Sequence, residues 1–168
     1  MTTYIFGYGS LINMKYNKEL KSPLSRRTYP VIVENMQRQL NVYGAKHLVL
    51  GVRDKPHAKT NGILFKVTAE ELQKLIRRES LYEPRPLAFA RLTFYNFIKN
   101  EIQFEENDRI LCFYPLLPIL KKIYTPKNDK AMQKYIKICL DGCMAIQAAH
   151  GEAHADIFVD DFVHWISK

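Results

Sequence analysis

Apolar residues begin with Tyr4-Ile5-Phe6 and give way to Gly7-Tyr8-Gly9-Ser10, the pattern of a strand that ends in a tight loop. Residues 17–25 are polar and lysine-bearing, closed by Pro23, and read as a short helix or a surface connection. In residues 29–42 and again in 47–53, β-branched and aromatic residues recur with polar interruptions, predicting two half-buried strands with Gly44 in the turn between them. Residues 54–61 have no apolar period and predict an exposed loop, after which 62–67 reopen a strand. Thr68, followed three positions later by Glu71, has the spacing of a capping box and sets a helix start at Ala69. Leu72, Leu75 and Ile76 form its apolar stripe, and two turns on from Leu72 the same face carries Glu79, its one inward carboxylate. Glu71, Arg77 and Arg78 point elsewhere on that wheel. Pro84 and Pro86 stop the helix.

Residues 87–98 read as a long aromatic strand, Lys99-Asn100 as a turn, 101–104 as a hairpin partner, and 109–114 as a nearly continuous apolar, central strand. Pro115, Pro118 and Pro126 punctuate the crossing that follows. Met132, Tyr135, Ile136, Cys139, Cys143 and Ile146 then recur at helical spacing, and residues 156–168 form a tail that docks as an arm or short helix through Ile157, Phe158, Phe162 and Trp165. Strands outnumber helices without regular alternation, which predicts a single α+β domain over residues 1–168 and not a doubly wound sheet.

Composition narrows this picture. A chain of 168 residues with 47% hydrophobic content can bury a sizeable core. No run is long enough for a membrane span, and three cysteines without a regular framework argue against structural disulfides, so a cytoplasmic protein is expected. The net charge of +8 is spread along the chain and paired only at Arg26-Arg27, Arg77-Arg78 and Lys121-Lys122, a solvated basic surface with no nucleic-acid partner expected.

Four chemistries have fragments in the sequence. Gly7-x-Gly9 after a strand lacks the third glycine of a dinucleotide fingerprint, Ile12 standing in its place. Ser10 is flanked at two positions either side by Tyr8 and Ile12, where a nucleophile elbow needs glycines. Cys139, Cys143, His150 and His154 are spaced too closely for a zinc finger, and the cysteines sit on an apolar stripe. The fourth fragment is Glu79, an inward carboxylate at a helix C-terminus, where dipole and burial both raise a carboxyl pKa. Pairing with Arg77, Arg78 or Arg85 is the plain alternative.

The set as a whole carries a resemblance. Tyr8-Gly9-Ser10-Leu11 after an N-terminal strand, Asn61-Gly62-Ile63-Leu64-Phe65-Lys66-Val67 leading to Glu70-Glu71-Leu72, Arg78-Glu79 with Tyr82, and later Cys112-Phe113-Tyr114 and Tyr135 to Gly142, resemble in order and spacing the gamma-glutamylcyclotransferase superfamily. The likeness implies a small mixed fold around a barrel-like sheet, no metal or organic cofactor, and conversion of a small γ-glutamyl compound into 5-oxoproline and a free amine. It implies Glu79 as general acid and base, and a substrate-binding set of Tyr8, Gly9, Ser10, Leu11, Tyr114 and Tyr135. Tyr114 and Tyr135 read equally well as core residues. Glu83, between Tyr82 and Pro84, is the competing acid and reads as a loop residue. The proline-rich Tyr82-Glu83-Pro84-Arg85 departs from the usual segment and leaves open glutathione, a γ-glutamyl amino acid or a γ-glutamyl-lysine amine as substrate. A non-catalytic relative binding a small carboxylate is the other reading of the same motifs.

Overall fold

The computed structural model describes residues 1–44, 47–96, 102–118, 130–150 and 157–166. Six strands form one mixed sheet in the order β4-β6-β1-β3-β2-β5. They are β1 (Thr3–Gly7), β2 (Tyr29–Tyr43), β3 (Leu48–Val67), β4 (Tyr82–Leu87), β5 (Leu92–Phe94) and β6 (Arg109–Pro115). Only β1 and β6 run parallel; every other neighbouring pair is antiparallel. Among the described residues three α-helices accompany the sheet, α1 (Ala69–Arg78), α2 (Lys130–Ala149) and α3 (Ile157–His164).

The longest elements, β2 and β3, form a hairpin whose pairing runs from Tyr29 opposite Leu64 out to Tyr43 opposite Leu48. This overturns the loop expected over residues 54–61. The exposed run Arg53 to His57 has no apolar period because it faces water, but the strand continues through it: Arg53 and Asp54 pair with Gln37 and Met36, residues 55–58 bulge opposite Asn35, with φ 59° at Asn35 and 64° at His57, and pairing resumes from Lys59 to Asn61. Periodicity reports which side chains are buried, not whether the backbone is paired. Gly62 lies where β3 crosses β1, and a Cβ there would fall on the Gly7 carbonyl and the Phe6 ring.

The capping box forms as the sequence predicts: Thr68 Oγ1 accepts from Glu71 N at 3.2 Å, and Glu71 Oε2 accepts from Thr68 N at 2.9 Å. Glu71 corrects a second expectation, since it does not point away from the core. It is 2% exposed, accepts from Lys21 N at 2.9 Å, and pairs with Arg26 at 2.5 Å. Glu79 is therefore not the helix's one inward carboxylate. The helical wheel placed Glu71 by angle alone and could not anticipate the 21–26 segment folding over it.

Pro84 and Pro86 lie in β4, an edge strand paired only to β6, so their missing N–H groups cost no ladder bond and Glu83 sits in a strand instead of a loop. The aromatic run 87–98 does not make one strand: Leu87 ends β4 opposite Ile110, a 3-10 turn at Phe89–Arg91 breaks the run, and Leu92–Phe94 then pairs with β2. Residues 102–104 are not in a strand, and 99–101 lie outside the described residues, as does Pro126. Segment 17–25 is neither helix nor plain surface; it contains a 3-10 turn at Pro23–Ser25 and buries Asn17 and Leu20.

One core joins the sheet to the later helices. Ile5, Phe6, Val31, Val33, Ile63, Leu64 and Phe65 meet Cys139 and Cys143 of α2 and Phe158 and Phe162 of α3, all of them 0–1% exposed. The helix expected around 132–146 is α2, with its cysteines on the buried stripe and free. Among the described residues, no helix is long and apolar enough to cross a membrane.

Candidate active site

Beyond the reach of β1, which pairs only with Ile63 to Val67, the first part of β3 presents an outer edge. Two tyrosines take hold of it at one residue. Tyr82 Oη donates to Leu50 O at 2.7 Å, and Tyr135 Oη accepts from Leu50 N at 3.2 Å. Because Tyr82 belongs to β4, three places away in the sheet order from the β3 that carries Leu50, its bond records a sheet that curls towards closure. Tyr114 Oη donating to Asp54 Oδ1 at 2.9 Å spans the same gap further along.

The loop after β1 sits against this curl. Gly9 opens a 3-10 turn, Ser10–Ile12, closed by Ile12 N donating to Gly9 O at 3.0 Å. A Cβ on Gly9 would come within 3.0 Å of Tyr135 Oη, so glycine here permits close approach of loop and tyrosine. Tyr8 is 5% exposed, and its hydroxyl donates to Phe113 O at 2.6 Å; Leu11 is 6% exposed. Both side chains anchor the loop in the core; Gly9 is buried with them against Tyr135 and Leu50, and Ser10 is half-buried.

Glu79 completes the arrangement. It is the C-cap of α1, its N–H donating to Leu75 O at 2.8 Å and its carbonyl accepting from Tyr82 N at 2.9 Å, so helix end and tyrosine are fixed by one tight turn. Its side chain is 16% exposed, and Arg78 Nε lies 3.2 Å from Oε1. Burial raises its pKa above the ordinary carboxyl value, Arg78 opposes that shift, and Glu19 adds to it. Burial first, then neighbours including Tyr82, Tyr135 and Glu79, hold the Tyr8 phenol well above its ordinary value; burial and then Glu79 raise Tyr82 likewise. Glu79, Tyr8, Tyr82, Tyr135 and the Gly9 loop thus occupy one neighbourhood.

Tyr114 belongs to a different polar group. Its hydroxyl bonds Asp54, which also pairs with Arg91 at 2.9 Å, while Arg85 lies 4.9 Å over its ring and pairs with Glu83. That leaves Glu83, the rival acid, with 43% side-chain exposure at the surface. Sequence reasoning missed Arg38, which is fully buried behind the loop. Its guanidinium donates to Tyr8 O (3.1 Å), Asn61 O (2.8 Å), Asn61 Oδ1 (2.9 Å) and Phe162 O (2.9 Å), and stacks on the Phe162 ring at 3.9 Å. Nothing in the strand pattern of β2 marks Arg38, beyond its being a charge within a run of half-buried positions.

Two open grooves lie away from this neighbourhood. One, of about 580 Å³, runs between the β2–β3 hairpin and the end of α3, lined by His57, Lys59, His164 and Trp165; the other, of about 430 Å³, is lined by Thr2, Arg26, Lys66 and Arg109. Among the described residues no group of three His, Cys, Asp or Glu side chains could hold a metal, and His154 lies outside them.

No family model matches the chain, and no curated protein does. Solved structures do match in fold. A gamma-glutamyl cyclotransferase superposes with a TM-score of 0.63 at 12% identity, covering 100% of this chain and 90% of that one. The human protein loc79017 gives 0.58 at 13% identity, over 99% and 89% of the two chains. YkqA from Bacillus subtilis gives 0.59 at 16% identity over 84% of this chain, which spans only 48%, about half, of the YkqA chain. These likenesses show that the chain has the gamma-glutamyl cyclotransferase-like fold.

Proposed function

We propose that the protein is a cyclotransferase that releases 5-oxoproline and a free amine from a γ-glutamyl amine or peptide, with glutathione and γ-glutamyl amines as the compounds to try first. The observation that carries this reading is Glu79, a mostly buried carboxyl of raised pKa tied by a tight turn to Tyr82, whose hydroxyl meets Leu50 together with that of Tyr135, the tyrosine against Gly9. The α-amine nitrogen attacks the γ-carbonyl carbon of the same molecule, forming the ring C–N bond as the bond to the departing nitrogen breaks. The proton lost by the α-amine passes to the Glu79 carboxylate and from it to the departing nitrogen, so one group serves as base and then acid. A raised pKa brings a carboxyl nearer the operating pH, where both transfers are efficient.

Ring closure is intramolecular, and folding the substrate into an attacking shape is the larger task. The backbone of residues 8–11 would hold the α-carboxylate, with Tyr135 shaping the pocket beside Gly9. Tyr82, whose hydroxyl meets the carbonyl of Leu50 as that of Tyr135 meets its N–H, joins that set. Tyr114 enters this reading only as a support for the curl of the sheet through Asp54.

The test is 5-oxoproline release across a panel of γ-glutamyl compounds, with Glu79→Gln as the decisive variant. Loss of a proton carrier predicts a fall in kcat of at least about a hundredfold in a folded variant. Calorimetric binding of the same compounds without turnover would instead favour a small-carboxylate-binding module.

A further inference from the structure

Arg78 precedes Glu79 at the end of α1, yet its guanidinium leaves the helix for the segment that follows the substrate loop. Its Nη1 donates to Asn17 Oδ1 and to Glu19 Oε2, each at 2.9 Å, while Nε lies 3.2 Å from Glu79 Oε1. Asn17 is fully buried and uses the other end of its amide as well, Nδ2 donating to Leu11 O at 2.9 Å. A continuous line of polar contacts therefore runs from Glu79 through Arg78 and Asn17 to Leu11, joining segments 61 positions apart.

An ion pair between chain neighbours at a helix end needs no such framework. A buried asparagine with both ends of its amide satisfied fixes the groups on either side of it, since displacing one leaves a buried polar atom unpaired. The planar guanidinium adds direction: Nε and Nη1 point along fixed lines, so the position of Asn17 dictates where the Glu79 oxygen sits.

We propose that Arg78 and Asn17 are positioning residues that hold the Glu79 carboxylate and the 8–11 loop in one frame, setting the separation between proton carrier and substrate clamp. The proposal rests on the cyclotransferase reading of that site. Glu19 has a defined part in it: it draws Arg78 away from Glu79 and repels the Glu79 charge directly. The charged and titratable groups that interact with Glu79 are Arg78, Glu19, Tyr82 and Tyr8.

A double-mutant cycle tests the frame. Arg78→Lys keeps the charge but cannot reach both acceptors along fixed directions, and Asn17→Ala removes both amide bonds. Each is expected to lower kcat/KM about tenfold or more through misplacement, the first mainly in kcat and the second in KM as well. Because both cut the same line, the double variant should lose no more than the worse single one. If Asn17→Ala does not fold, Asn17→Asp, which keeps the acceptor and loses the donor, takes its place. A folded double variant whose loss equals the product of the singles overturns the proposal.

Titration gives an independent reading. Arg78→Gln should move the lower limb of the kcat/KM profile to higher pH and Glu19→Gln to lower pH, with the Glu79 carboxyl signal followed by carbon NMR shifting in the same opposite directions. The NMR arm needs no turnover. Opposite shifts in a protein that turns over no γ-glutamyl compound would support the frame and sink the reaction. Turnover by the unmodified protein with no shift in either variant would sink the frame and leave the reaction standing.

Discussion

Glu79 shows how one side chain acquires properties that its residue type does not have. As a C-cap carboxylate it sits at the negative end of α1, and as a side chain 16% exposed it has lost most of its water. Burial raises its pKa more than Arg78 lowers it. A carboxyl whose folded pKa exceeds its unfolded value penalises the fold once ionised; the penalty is absent below the unfolded pKa, grows as pH rises, and is complete above the folded pKa. Glu79→Gln is therefore expected to melt above the unmodified protein at pH 7, and the two curves should meet below about pH 4, near the unfolded carboxyl range. Arg78 does not reverse the expectation, because Asn17 and Glu19 still receive its guanidinium. A melting temperature for Glu79→Gln below the unmodified protein's at pH 7 would show that the pair with Arg78 outweighs burial.

At the scale of elements, α1 is positioned by Glu71 as much as by its leucines. Burial pushes the Glu71 carboxyl pKa up, but bonds from Thr68 N, Lys21 N and Arg26 outweigh it and leave the group below its ordinary value. The sign is opposite to that at Glu79: the stabilisation is present above the unfolded carboxyl pKa and is lost as pH falls through the lower folded one. Glu71→Ala should cost about 2–4 kcal/mol at neutral pH, since it removes the capping box and leaves Arg26 short of its partner. Urea titrations should show that cost shrinking once the pH drops below about 4. The start of α1 was legible because a capping box is written in four consecutive residues. Segment 17–26, which covers Glu71 and supplies Asn17 and Glu19, was not legible, because short 3-10 turns leave no period in the sequence. The failure over 54–61 has a related cause: the exposed residues 53–57 lose the alternation by which strands are recognised, and the ladder to β2 is itself interrupted between Asp54 and Lys59 before it resumes through Asn61.

Across the whole molecule, Arg38 ties the loop after β1 to α3 by way of β3. Burial lowers its pKa to about 10, with Cys143, Cys139, Tyr95 and Tyr135 opposing the shift. Its acceptors are neutral oxygens of Tyr8, Asn61 and Phe162, so removing it strands buried carbonyls in the loop after β1, in β3 and in α3 at once. Arg38→Met is expected to cost about 3–5 kcal/mol in urea unfolding. Amide hydrogen exchange should then quicken together around Tyr8 and around Phe162; faster exchange at only one of the two would show that the loop and α3 are not joined through this side chain. The sequence by itself determined the α+β class, the start of α1, the central β6, the amphipathic α2 with its buried cysteines, and the inward Glu79 at a helix end. These follow from local period, capping and proline chemistry, which need only neighbouring residues. Tertiary structure decided that Tyr82 and Tyr135 meet at Leu50 while Tyr114 turns to Asp54, that Glu71 is buried, and that Arg38 and Asn17 stand behind the loop. Those placements depend on how the sheet curls and what covers its edge, and a buried polar side chain is chosen by the distant carbonyl it must satisfy, which no local pattern records.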